Sequence, residues 1–313
     1  MIKKEKFNFL SSDNKTMINA FKWIPEDKPK AVIQIIHGMV EYIDRYDEFA
    51  RFLASKGFLV VGHDHLGHGD SINNSDDYGY FGNPPRDLLI SDIHKIREMF
   101  ENNLPYVMIG HSMGSFLLRT YLSMYGSNVA GAIIIGTGYV PSIATYFGII
   151  VANIEKLLFG EKHRSKLLVK LSKDKNYRRF CSDGSDLKNS WLTKDEKIVK
   201  DFISNPKCQF IFTDNGYLGL FKAINYCCKR KCFINTPNNL PILIASGLHD
   251  PVGGMGKGVK KVFDMYSNAK IIDISLKLYP NDRHELLNET DREFIYNDFL
   301  EWINWHALNN NKL

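Results

Sequence analysis

Cysteine is scarce in this sequence of 313 residues, and its five cysteines form no CxxC pair. Cys228 and Cys232 lie four residues apart, but no histidine nearby completes a zinc-binding set. The N-terminal segment is charged and no apolar stretch follows it, so we expect no signal peptide. Free thiols and a missing leader both favour a reducing, cytoplasmic setting.

Long hydrophobic runs and a strong charge excess are also missing. The most apolar stretch, residues 139–154, is short and is followed by Glu155 and Lys156, so we expect no transmembrane helix. With 40 basic and 35 acidic residues, the net charge of +5 is too small to indicate nucleic-acid binding. Hydrophobic residues make up 44% of the chain, which excludes a disordered protein. Nothing in the sequence indicates the oligomeric state.

What the sequence does contain is an alternation of strand and helix patterns near both ends. Predicted strands cover residues 5–10, 16–24, 31–36, 58–62, 106–109, 130–135, 242–245 and 270–278. Predicted helices cover residues 45–56, 86–103, 115–125, 256–267 and 290–307.

The alternation stops between about residues 138 and 237, where the sequence is helical and rich in lysine and aromatic residues. We predict an α/β fold with a mostly parallel central sheet and helices on both faces, formed by residues 1–137 and 238–313. Residues 138–237 are predicted to form an inserted helical cap.

The strongest functional signal is Gly110-His111-Ser112-Met113-Gly114, a G-x-S-x-G motif between a predicted strand and a predicted helix. In that context the serine occupies a sharp, strained turn, and small neighbours let strand and helix approach. A plain turn is the alternative. The motif predicts Ser112 as a nucleophile.

A nucleophilic serine needs a base and an acid, which follow in the order Ser, Asp, His in such folds. Asp250 follows the predicted strand at 242–245, and His284 lies in the loop after the last strand. We predict Asp250 as the acid and His284 as the base. Asp282 and His249 are rivals from the same loops.

An oxyanion hole needs two backbone N–H groups. We expect one from Met113, directly after the nucleophile. The other is expected from Met39, in the loop after the strand at 31–36, where Gly38 permits the turn.

Five segments between residues 37 and 289 then resemble the monoacylglycerol lipase and lysophospholipase group of α/β-hydrolases, within the serine aminopeptidase S33-type family. They are His37–Tyr46, Asp64–Ser71, Gly110–Gly114, Asp250–Gly253 and Arg283–Glu289. One departure is Tyr42, where the family usually has histidine, and the cap matches poorly. The resemblance implies an α/β-hydrolase fold and a serine esterase that needs no cofactor and no metal.

The cluster His63, His65 and His68 could also suggest a metal site, but no H-E-x-x-H motif is present. The resemblance implies that this segment is a structural loop. Glu41 and Glu289 are predicted to pair with backbone groups or arginine rather than to act in catalysis.

The cap begins with an apolar face at helical spacing that includes Ile143, Phe147 and Ile150. This face could pack onto the core or bind an acyl chain or lipid surface. Residues 160–179 carry eight basic side chains against two acidic ones, which indicates a solvated face or a contact with anionic headgroups.

Together these features favour a lipid-like monoester substrate, a monoacylglycerol or lysophospholipid, and allow transient contact between cap and membrane. A broad carboxylesterase remains an alternative. So does an aminopeptidase that holds an amine through cap acids such as Asp183, Asp186, Asp195 or Glu196. A non-catalytic ligand-binding protein of the same fold is the alternative from another class.

Overall fold

The computed structural model describes residues 2–172, 177, 180 and 189–308, and its centre is an eight-stranded sheet within those residues. The strands are β1 (Lys3–Leu10), β2 (Met17–Ile24), β3 (Ala31–Ile36), β4 (Phe58–His63), β5 (Tyr106–His111), β6 (Gly131–Ile135), β7 (Ile242–Gly247) and β8 (Ile274–Tyr279). Their order is β1-β2-β4-β3-β5-β6-β7-β8. The β1–β2 and β2–β4 pairs are antiparallel and the others parallel, which confirms the predicted mostly parallel sheet.

Helices cover both faces of the sheet, as predicted. They are α1 (Asp47–Ser55), α2 (Pro85–Met99), α3 (Met113–Tyr125), α4 (Ser142–Phe159), α5 (Lys166–Leu171), α6 (Glu196–Ser204), α7 (Asp214–Cys227), α8 (Arg230–Asn235), α9 (Lys257–Asn268) and α10 (Arg292–Trp302). Side chains of β3 alternate between two cores: Ile33 and Ile35 pack with α1 and α10, and Val32 and Ile36 with α2, α3 and α9. The fully apolar strand pattern reflects this burial on both sides.

Three predicted boundaries differ from the observed ones by four residues or more. The helix predicted to residue 103 ends at Met99. The last strand begins at Ile274 rather than 270, because Lys270 turns the chain with a φ of 68° after α9. The final helix ends at Trp302 and continues as a wider π-helical segment, Ile303–Leu308.

Helix α4 packs through its small residues, and its large apolar residues face outward. Thr145, Gly148 and Ala152 are buried, and a Cβ on Gly148 would lie 2.9 Å from the Phe221 ring of α7. The apolar side chains Ile143, Phe147 and Ile150 are instead 82%, 55% and 54% exposed. Core packing, one of the two interpretations of that face, is therefore wrong.

The described residues between β6 and β7 are mainly helical, in the range predicted for the cap, while the exact division of cap and core stays a prediction. Helix α7 packs against α2 and α3 of the core. Helix α4 has 18 residues with a mean hydropathy of 1.4, which is long and apolar enough to cross a membrane by length and composition alone. Its small-residue side packs against α7, and its large apolar side chains are exposed.

Four buried histidines, His37, His63, His65 and His68, pack their rings together beside the end of β4. Burial lowers the pKa of His63 to about 3, with a further contribution from the charge of His37. Burial also lowers the pKa of each of the other three. These imidazoles are therefore neutral in the folded protein at pH 7.

Acid should destabilise the fold through this cluster. Below about pH 6.5 the unfolded chain binds protons at these histidines and the folded chain does not. The free energy of unfolding therefore decreases as the pH is lowered. The loss for His63 spans the interval from about 6.5 down to about 3, at up to about 1.4 kcal/mol per pH unit.

Urea unfolding of His63→Phe at pH 7.5 and 5.5 measures this effect. Between these two pH values, the free energy of unfolding of the wild type should fall by about 1.4 kcal/mol more than that of the variant. The matched control is His249→Phe, at an exposed site, which should retain the wild-type slope. Equal slopes in all three proteins would contradict the linkage.

Candidate active site

Ser112 occupies the turn between β5 and α3, as the motif predicts. Its backbone is strained, with a φ of 53° and a ψ of −119°, a conformation that favours glycine. Its side chain is partly exposed, and it begins the helix, where the N-terminal amides favour negative charge. The hydroxyl is therefore placed to act on a ligand.

The turn depends on close contact between backbone segments. A Cβ on Gly114 would overlap the carbonyl oxygens of Ile36 and His37, so the first turn of α3 rests directly on the end of β3. A Cβ on Gly110 would lie 2.6 Å from the Gly114 carbonyl oxygen. The two glycines of the motif are therefore needed for strand and helix to approach.

His284 and Asp250 meet at the same edge of the sheet. The loops after β7 and β8 bring His284 Nδ1 to 2.9 Å from Asp250 Oδ1, and both side chains are buried. Asp250 also accepts hydrogen bonds from Ser246 Oγ and the Val252 N–H. Burial opposes its ionisation, but the charge of His284 and these hydrogen bonds lower the pKa of Asp250. A carboxylate so placed holds the imidazole with Nε2 directed away from it.

The rival residues from the same loops have other surroundings. The Asp282 carboxylate lies 2.5 Å from Lys194 Nζ of the cap. His249 is exposed. The contact with His284 belongs to Asp250, as expected, although the catalytic roles of Ser112, Asp250 and His284 remain predictions.

His284 lies next to the nucleophile turn. Its ring is 4.8 Å from the ring of His111, which directly precedes Ser112. Within the described residues, neither His284 Nε2 nor the Ser112 hydroxyl makes a hydrogen bond. Such contacts are often long in a ligand-free site and tighten when substrate binds.

The loop after β3 carries Met39, one of the two expected oxyanion donors, and Met113 begins α3 directly after Ser112. The Gly38 N–H donates to Glu41 Oε1 at 2.5 Å, so that amide is occupied. The amides of Met39 and Met113 make no hydrogen bond within the part of the chain that the structure describes. A side chain on Gly38 would contact Ser112, since its Cβ would lie 3.0 Å from the Ser112 Cβ. The loop therefore passes directly beside the nucleophile.

Glu41 joins this loop to the histidine loop through buried charges. Its Oε2 accepts from Arg45 at 2.8 Å, and Arg45 also forms two parallel hydrogen bonds with Glu285. Burial opposes ionisation of Glu41, but the hydrogen bond from His111 and the charge of Arg45 lower its pKa. The prediction that Glu41 pairs with backbone and arginine is confirmed.

The cap is attached to the histidine loop by main-chain hydrogen bonds. The carbonyls of Trp191 and Leu192 accept from the N–H groups of His284 and Glu285 at 3.4 and 2.6 Å. The Trp191 ring lies 5.1 Å from the His284 ring. Buried Glu289 accepts from the N–H of Lys194 and from that of its neighbour Arg283, so its predicted role as a backbone partner is also confirmed.

Sequence reasoning missed Trp191 and the Arg45–Glu285 pair. Trp191 lies in the cap, which carries no motif, so nothing in the sequence places it near His284. The charges of Arg45 and Glu285 could be read from the sequence, but their pairing joins positions 240 residues apart.

Two side-chain groups in the described residues could hold a metal ion. They are Glu155, His163 and Asp214, and Asp282, Glu289 and Asp291. In the first, His163 already contacts Asp214 at 2.8 Å, and in the second Lys194 lies among the carboxylates. Neither group includes Ser112, Asp250 or His284.

The strain at Ser112 should appear in stability. Ser112→Gly should exceed Ser112→Ala in free energy of unfolding by about 1 kcal/mol, because only glycine adopts this backbone without strain. The control is Thr120, in the middle of α3. At this position, Thr120→Gly should be less stable than Thr120→Ala by about 1 kcal/mol, because glycine is unfavourable within a helix. Urea unfolding of the four variants measures these differences. If Ser112→Ala were more stable than Ser112→Gly, backbone strain at this position would be excluded.

Comparisons with known proteins identify the family of the chain. Residues 27–291 match the serine aminopeptidase S33 family. A monoacylglycerol lipase of Mycolicibacterium smegmatis is 23% identical over 91% of each chain. A monoglyceride lipase homolog of Monkeypox virus is 25% identical over 90% of this chain and 92% of its own.

Among solved structures, a thermostable carboxyl esterase from Bacillus coagulans in complex with glycerol superposes with a TM-score of 0.89. It is 26% identical and covers 98% of this chain and 100% of its own. The matched residues include strands from both halves of the sheet and the loops that carry Ser112, Asp250 and His284. The chain is therefore a hydrolase of the serine aminopeptidase S33 family, with an α/β-hydrolase fold similar to that of the monoacylglycerol lipases.

Proposed function

We propose that this hydrolase cleaves the ester bond of a lipid-like monoester, a monoacylglycerol or lysophospholipid, through an acyl-enzyme on Ser112. The observation that carries the proposal is the 2.9 Å contact of His284 Nδ1 with Asp250 beside the strained turn of Ser112. That arrangement suits a serine nucleophile, a histidine base and an orienting acid.

In the proposed reaction, His284 Nε2 takes the Ser112 proton as the serine oxygen attacks the ester carbonyl carbon. The amides of Met39 and Met113 stabilise the negative oxygen of the tetrahedral intermediate. The intermediate collapses with loss of the alcohol, which takes the proton from His284. Water then attacks the acyl-enzyme by the same steps and releases the fatty acid, which restores Ser112.

Two observations support a lipid substrate. The outward face of α4 exposes large apolar side chains, and it continues at the end of the helix with Leu157 and Phe159 at 85% and 62% exposure. Contiguous exposed apolar surface of this kind is typical of lipid or membrane contact. The M. smegmatis and Monkeypox relatives are named as a monoacylglycerol lipase and a monoglyceride lipase homolog.

An aminopeptidase with the same site is less well supported. Asp195 caps the N-terminus of α6, and Glu196 is paired with Lys200 at 3.2 Å, so neither is free to hold an amine. Asp183 and Asp186 lie outside the described residues. A broad carboxylesterase stays the main alternative. The similar Bacillus structure, a carboxyl esterase in complex with glycerol, is compatible with both the lipid monoester and the carboxylesterase interpretation.

A cytoplasmic location belongs to the same proposal. The described cysteines, Cys208, Cys227, Cys228 and Cys232, are free thiols, which a reducing compartment would maintain. Cys181 lies outside the described residues.

The roles of the site residues can be tested by substitution. Ser112→Ala and His284→Ala should each lower kcat for a monoacylglycerol by about 10³-fold or more, because the two residues act as a unit. Asp250→Asn should cost somewhat less. Asp282→Asn is the matched control and should retain most activity, because its carboxylate contacts Lys194 rather than His284.

Two outcomes would contradict this assignment: substantial turnover by Ser112→Ala, or a greater loss in Asp282→Asn than in Asp250→Asn. Labelling with a fluorophosphonate distinguishes an enzyme from a non-catalytic ligand-binding protein of the same fold, since the binding protein would not be modified at Ser112.

The role of α4 in substrate choice gives a second test. Phe147→Asp and Ile150→Asp should lower kcat/KM for long-chain monoacylglycerols about tenfold or more, and for butyrate esters by less than about twofold, because only the long chain buries apolar surface. The matched control is Phe294→Asp, at an exposed phenylalanine of α10, which should affect neither substrate. The α4 variants should also sediment less with phosphatidylcholine vesicles.

Equal loss on both substrates would show that the substitutions disturb the cap and that the face does not select the acyl chain. A wild-type enzyme most active on short esters would replace the lipid proposal with the carboxylesterase alternative.

A further inference from the structure

His111 is buried between the nucleophile, the oxyanion loop and the histidine loop, and both of its ring nitrogens have partners. Nε2 lies 3.3 Å from the backbone carbonyl oxygen of His284. Nδ1 lies 2.9 Å from Tyr46 Oη and 3.2 Å from Glu41 Oε1. The proposed mechanism gives this ring no task.

The partners of the two nitrogens restrict the protons of the ring. A carbonyl oxygen can only accept, so Nε2 must carry a proton. An ionised carboxylate also only accepts, so a hydrogen bond between Nδ1 and Glu41 requires a proton on Nδ1 too. The Tyr46 hydroxyl donates its proton to Glu41 Oε1 at 2.9 Å, which leaves its oxygen as a second acceptor toward Nδ1.

The charges around the ring lead to the same state. Glu41 and Glu285 are buried carboxylates, and Arg45 is a single cation between them. Buried charges without partners are costly, so this group requires a second positive charge. Asp250, the other carboxylate that acts on the ring, is engaged with His284.

Three further titratable side chains act on this group of charges. Cys208 is neutral, because burial raises the pKa of its thiol to about 12. His37 acts on Glu41 and is neutral, because burial lowers its pKa. Tyr46 is neutral as well, since burial and the charge of Glu41 raise its pKa. Among the described residues that face the two glutamates, the His111 ring is the group that can supply the second positive charge.

We propose that His111 is an imidazolium in the resting enzyme and a positioning residue for the reaction proposed above. Its Nδ1–H binds the carboxylate that holds the Gly38 amide, and its Nε2–H binds the backbone of His284. One protonated ring thereby fixes the oxyanion loop relative to the base. Burial opposes the charge, but the hydrogen bond and charge of Glu41 outweigh burial and raise the pKa of His111.

A neutral ring is the competing state. In it, Nε2–H still binds the His284 carbonyl, while Nδ1 accepts the Tyr46 proton and faces Glu41 with a lone pair. Loss of the Nδ1 proton therefore breaks the link that passes through His111 and leaves the one through Arg45 and Glu285 in place. The oxyanion loop is then held less firmly against the base, and kcat should fall when His111 deprotonates at alkaline pH.

Nitrogen NMR of the wild-type histidine rings tests the protonation state without using activity. At pH 7.5, the His111 ring should show two protonated nitrogens. The signal is assigned by its absence in His111→Gln or, should that variant not fold, by the NOE from Nδ1–H to the Tyr46 ring. A neutral ring with one unprotonated nitrogen would overturn the proposal.

Kinetics test the positioning role. His111→Gln should lower kcat about 10- to 100-fold with little change in KM, as expected when a reacting group is displaced. The wild type should lose kcat over the pH range in which NMR shows His111 deprotonating, and His111→Gln should lack this decline. His94→Gln, at a partly exposed histidine of α2, should keep the wild-type profile.

A His111→Gln variant that keeps the wild-type alkaline decline would exclude the positioning role. Failure of the wild type to hydrolyse any ester would instead reject the proposed function, and the NMR result would still decide the charge of His111.

Discussion

The contact between the first turn of α3 and the end of β3 is the constraint on which the site depends. Gly114 has no room for a side chain because the carbonyl oxygens of Ile36 and His37 occupy that space. The contact strains Ser112 and brings the Gly38 loop against it in the same step. Fixed backbone of this kind is costly to form, and the two-sided core of the sheet holds it.

A second constraint is electrostatic and lies directly behind the first. Glu41, Arg45 and Glu285 form a buried group of charges that connects the loop after β3 to the loop after β8. Removing one member of such a group typically costs about 3–5 kcal/mol, because the remaining charge is left unpaired. The site is therefore rigid at its base, where the loops meet, whatever the cap does above it.

The sequence predicts features that depend on neighbouring residues better than features that depend on contacts between distant ones. The strand–turn–helix around Ser112 is local, so its residues and small neighbours could be recognised in a few positions of sequence. Asp250 was predictable because a parallel strand fixes where its loop emerges. The face of α4 was not, since periodicity shows that one side is apolar but cannot show that small residues such as Gly148 dock instead. The position of Trp191 beside the His284 ring depends on tertiary contacts alone, so no local pattern predicts it.

The attachment of the cap to the histidine loop uses main-chain atoms at Trp191 and Leu192. Backbone hydrogen bonds do not depend on which side chains the two residues carry. Side chains at Trp191 and Leu192 can therefore change while these two bonds stay in place, whereas the Lys194–Asp282 contact depends on its side chains. For the proposed reaction, substitutions at these cap positions would need no compensating change in the loops that carry Ser112, Asp250 and His284.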